Sequence, residues 1–156
     1  MKKILAVLLL GFIFILGAKS NIFAQANGIT ELVDNFQKAT DLQRSQILED
    51  SLGREISVSA IVSNVGEYNF FNTADDIGKI YYQVSTEQQK TKNNVPYEIV
   101  FLFKEKKQIK DISKGWTMQQ AGKIIRIIDE RLQISLWLLC ADLTEEDKVL
   151  FKQIVE

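Results

Sequence analysis

The spacing of apolar residues changes several times along the chain, and each change marks an element. Between Thr30 and Leu52, Leu32, Val33, Phe36 and Ala39 recur at three- and four-residue intervals, and Ile47, Leu48 and Leu52 continue the stripe. That spacing puts an apolar face on a helix, with Thr30 as its N-cap. Thr40-Asp41-Leu42-Gln43 matches a capping box, so a second helical piece is expected to start there, and Gly53 stands where a helix terminator belongs. At Arg54 the period falls to two. Ile56, Val58, Ala60 and Val62 alternate with Glu55, Ser57, Ser59 and Ile61, which predicts a half-buried strand. Ile80, Tyr82 and Val84 alternate with Lys79, Tyr81 and Gln83 in a second strand. A polar loop, STEQQKTKNNVP, ends in the only proline, and the YEIVFLFK stretch after it puts Ile99, Phe101 and Phe103 on one face of a third strand.

Two more strands are expected in GWTMQQAGKIIRIID and RLQISLWLLCADL, turning around Asp129-Glu130. The second is apolar on both faces, so it should lie centrally or be covered. Thr144 then caps a final helix whose first turn holds Glu145, Glu146 and Asp147, acids that the helix dipole favours. Val149, Leu150, Ile154 and Val155 are the residues expected to dock it. No repeat, linker or low-complexity tract interrupts this order.

Helix, five strands, helix is a mainly β chain with flanking helices. Five strands in a small, partly open Greek-key barrel is the OB-fold arrangement. Residues 104–114 would supply a short helix between the third and fourth strands, with Phe103, Ile109 and Ile112 to bury. The strings TDLQRSQILEDSLGREISVSAIVSNV and ISKGWTMQQAGKI resemble segments of the bacterial tRNA-anticodon-binding-like proteins, a group of exported or envelope OB-fold domains. Gly115 and Gly122 stand at the two glycine positions of that pattern, Trp116 replaces an acidic residue, and Cys140 matches a cysteine near the end of the last strand. The resemblance runs from about Thr40 to Asp142 and implies the fold and an envelope address, without implying tRNA binding.

The N-terminal segment has the make-up of an export leader. Lys2 and Lys3 precede an apolar run from Ile4 to Ala18, and Ala24-Gln25-Ala26 fits a signal-peptidase site, with Ser20 as the alternative cleavage point. The run is shorter than the roughly 20 residues a spanning helix needs, and Lys19 closes it. Residues 1–26 are therefore expected to be a signal peptide and 27–156 a single domain, periplasmic or secreted, with no membrane span after cleavage. Loss of Lys2, Lys3 and Lys19 with no acid moves the formal charge from −1 to −4, a balance that argues against a polyanionic partner. Cys140 is the only cysteine, so no internal disulfide forms. Between Leu139 and Ala141 it reads as a buried small hydrophobe, with pairing between molecules as the alternative.

The chain contains no histidine. That removes the commonest general base, the Ser-His and Cys-His pairs and most zinc sites, and no phosphate-loop spacing is present. The acid pairs are Asp75-Asp76, which reads as turn chemistry, and Glu145-Glu146-Asp147, which reads as capping. No catalytic residue, cofactor or metal ligand is assigned. The loudest polar feature is KEKKQIKDISKGW, residues 104–116. Lys104, Lys106, Lys107 and Lys110 are the candidates for a polyanion contact, which would also want stacking platforms such as Tyr68, Phe71 or Tyr81. Glu105 and Asp111 interrupt the run, and lysines flanking a hydrophobic strand also serve as solvated guards of its edge.

The candidate contact residues are Lys79, Tyr81 and Gln83, on the outer face of strands two and three, unless loops or the N-terminal helix cover that face. The expectation is an exported, non-catalytic binding module for an envelope protein or small ligand. A domain binding single-stranded nucleic acid is the less favoured alternative.

Overall fold

The computed structural model describes residues 28–70 and 79–153. The leader with both its cleavage points, Phe71, Asp75-Asp76, Ile154 and Val155 lie outside the described residues.

Two helices enter the sheet, α1 over residues 28–38 and α2 over Asp41–Ser51. The break falls at Thr40 for the reason its sequence gives. The Thr40 backbone N–H donates to Gln43 Oε1 at 2.9 Å, closing the capping box and starting a new helix. Arg44 braces this corner. Its Nε donates to the Phe36 carbonyl at 3.1 Å, its guanidinium lies 5.2 Å from the centre of the Phe36 ring, and it pairs with Asp129 at 3.0 Å. Gly53 ends α2 with φ +78°, a left-handed conformation that favours glycine, and its N–H donates to the Ile124 carbonyl at 2.8 Å.

The strands are β1 (Glu55–Phe70), β2 (Lys79–Thr86), β3 (Gln89–Lys90), β4 (Pro96–Phe103), β5 (Thr117–Asp129) and β6 (Ile134–Leu139), followed by α3 (Glu145–Gln153). The molecule is thus mainly β, with helices flanking a sheet of order β2-β1-β5-β6-β4-β3. β1 serves two neighbours. Its first half, Glu55–Ile61, pairs with β5, and from Val62 onward it pairs with β2, with an irregularity between Val62 and Asn64 where the strand changes partner. β2 also pairs with β4, β4 runs parallel to β6, and β6 is antiparallel to β5. The pairings therefore return on themselves, from β1 through β2, β4, β6 and β5 to β1.

Alternation along these strands sorts the apolar residues into two layers. Ile56, Val58, Ile99, Phe101, Leu136 and Leu138 belong to one, which α1 joins through Val33 and Phe36. Tyr81, Val100, Leu102, Ile125, Trp137 and Leu139 belong to the other, which α3 joins through Phe151. β6 is buried at all six positions because it contributes to both, as its two apolar faces predict. β5 and β6 approach closely at Gly122. A Cβ there would come within 2.9 Å of the Leu138 Cβ and 3.4 Å of the Cys140 Sγ, so only glycine lets β5 and β6 meet.

The structure departs from the sequence expectations in two places. The polar segment after β2 contains the short strand β3, which pairs with β4 through a turn where Asn94 takes φ 64°. Residues 104–114 form a single 3-10 turn, Lys106–Gln108, in place of a fuller helix. Ile109 is buried and Ile112 half-buried, as expected, and two apolar residues three apart seat one turn but not a longer helix. Phe151 is buried and anchors α3; the side chains of the four residues expected to dock it, Val149, Leu150, Ile154 and Val155, lie outside the described ones.

Candidate functional site

A buried polar cluster forms where α3 meets the outer face of the sheet. Thr144 caps the helix as its sequence predicts: its Oγ1 accepts the Asp147 N–H at 3.2 Å, while Asp147 Oδ2 accepts the Thr144 N–H at 2.9 Å and hydroxyl at 2.8 Å. Asp147 does more than cap. It is only 1% exposed, and the same carboxylate accepts the Tyr81 hydroxyl at 2.9 Å and the Lys104 ammonium at 2.7 Å. Lys104 also donates to the Asp142 carbonyl at 3.0 Å, and Lys123 pairs with the Asp142 carboxylate at 3.1 Å. One acid thus joins the end of β4, the middle of β2 and the start of α3.

Aromatic rings surround this node. The Phe151 ring lies 6.0 Å from Tyr81 in a tilted arrangement, and Tyr68 meets Trp137 edge-on at 4.9 Å. Tyr68 and Tyr81 are register partners across β1 and β2.

The electrostatics of the node are those of a tie. Burial raises the Asp147 carboxyl, but the Lys104 hydrogen bond, both Thr144 hydrogen bonds and the Tyr81 hydroxyl outweigh it and bring the group down to about 2. Burial, then the hydrogen bond to Asp147 and its charge, pushes the Tyr81 hydroxyl well above the ordinary tyrosine range. At neutral pH the acid stays ionised and the phenol stays protonated. Neither group changes its protonation near pH 7, where proton transfer in catalysis would require it.

The strand that was expected to present Lys79, Tyr81 and Gln83 exists, but it offers no open patch centred on Tyr81. Tyr81 is 2% exposed because α3 lies over it, so its ring cannot be a surface contact while the helix is docked. The covering element is the C-terminal helix, not the N-terminal one. Gln83 is half-buried and donates from Nε2 to Ser85 Oγ at 2.7 Å, and Lys79 pairs with Phe70 in the ladder. Tyr68, the other candidate platform, is half-buried against Trp137.

Four lysines of the block are paired with acids of this chain. Lys104 pairs with Asp147, Lys106 with Glu67 at 3.4 Å, Lys107 with Glu105 at 2.5 Å and Lys110 with Asp111 at 3.8 Å. The Glu105 hydrogen bond and charge raise the Lys107 ammonium above its ordinary value. No unpaired basic stripe runs through these four residues.

A hollow of about 240 Å³ lies between α1 and the start of β1, lined by Ile29, Leu32, Arg54 and Ile56. Trp116 is 57% exposed at the entry to β5. Burial pushes the Cys140 thiol up to about 12, far from the thiolate a nucleophile needs. Among the described residues, no three His, Cys, Asp or Glu side chains gather as a metal site, and no helix is long and apolar enough to cross a membrane. No family model and no curated protein matches the chain.

Two features of this node escape sequence reasoning: the inward turn of Asp147 and the anchor Phe151. One signal pointed to them. YEIVFLF is apolar on both faces, so Val100 and Leu102 needed a cover as much as Ile99 and Phe101 needed a core.

Proposed function

We propose that the protein is an exported, non-catalytic binding module with an OB-fold-type five-stranded barrel, similar to the bacterial tRNA-anticodon-binding-like domains, and that it acts by contact with a protein in the cell envelope. The circuit of strand pairings carries this reading: five strands join in a ring that includes one parallel pair, β4 with β6, while β3 is an appended strand on β4. The leader-like sequence of residues 1–26 supports export. The absence of histidine from the sequence, and an acid and a phenol held far from neutrality in the buried cluster at α3, support a binding role over an enzymatic one. Internal pairing of Lys104, Lys106, Lys107 and Lys110 weighs against the alternative of a single-strand nucleic-acid grip.

The test is a pull-down with mature residues 27–156 from an envelope extract, with and without nuclease, read by mass spectrometry. A discrete protein partner that survives nuclease is the expected result. Recovery that collapses on nuclease treatment would reverse the reading in favour of nucleic acid.

A further inference from the structure

We draw no further inference here: the strongest candidate, the exposed surface patch of Trp116 and Ile61 at the entry to β5, follows lysines (Lys106, Lys107 and Lys110) that already pair with acids of this chain, and nothing in the structure shows what covers it.

Discussion

Asp147 is an ionised carboxylate inside a layer built of tyrosine, tryptophan, phenylalanine and aliphatic side chains. Burying such a charge is costly unless its lone pairs are filled, and here Tyr81, Lys104 and Thr144 fill them. The consequence is a pH dependence with a definite sign. The carboxyl sits at about 2 in the folded chain, below its ordinary 3.8, so protons bind the unfolded chain more readily. Its contribution is fully present above about pH 4 and is lost as the pH falls towards about 2, amounting to about 2 kcal/mol across that window. Urea denaturation between about pH 5 and about pH 2 should show this loss, and Asp147→Asn should flatten that part of the profile. A loss of equal size in the variant would mean that other carboxylates account for the acid sensitivity.

At the scale of elements, two connections illustrate different uses of charge. Lys104 serves a buried partner, whereas Lys106, Lys107 and Lys110 form exposed pairs. Exposed pairs contribute little, so replacing those three lysines with alanine should leave the urea midpoint unchanged, while Lys104→Ala should lower it by stranding Asp147. The β5–β6 contact makes a sharper demand. Gly122→Ala forces a methyl group to within 2.9 Å of the Leu138 Cβ, backbone-proximal and unable to swing away, and should destabilise by about 1–3 kcal/mol as overpacking does. Thermal unfolding of the variant checks this, and an unchanged midpoint would show that the strands can separate there at no cost.

These same elements mark what the sequence made readable. The alternation of β1, the capping box at Thr40 and the N-cap at Thr144 are local patterns, and all three are found in the structure. The neutralised lysines are not local. Lys106 meets Glu67 at a separation of 39 residues, and Lys104 meets Asp147 at 43, so a charge run looks free until folding brings its partners in. Tyr81 misleads for the same reason: strict alternation assigns it to the outer face, and only the return of α3 makes that face an interior.

On the scale of the whole molecule, the chain is a ring of strand pairings with one apolar layer shared with α1 and a second sealed by α3. The two layers meet along β6, which is buried on both sides and should be the last strand to open. The account depends on α3 being a cover on this ring and not one of its supports. Hydrogen exchange of the intact mature chain, read by mass spectrometry, tests that most directly. The account predicts that the amides of Glu145–Gln153 exchange together and at least about tenfold faster than those of Ile134–Leu139, and faster still in Asp147→Asn while β6 keeps its protection. Exchange of α3 and β6 at one common rate, in both chains, would contradict it, because the helix would then open only when the sheet does.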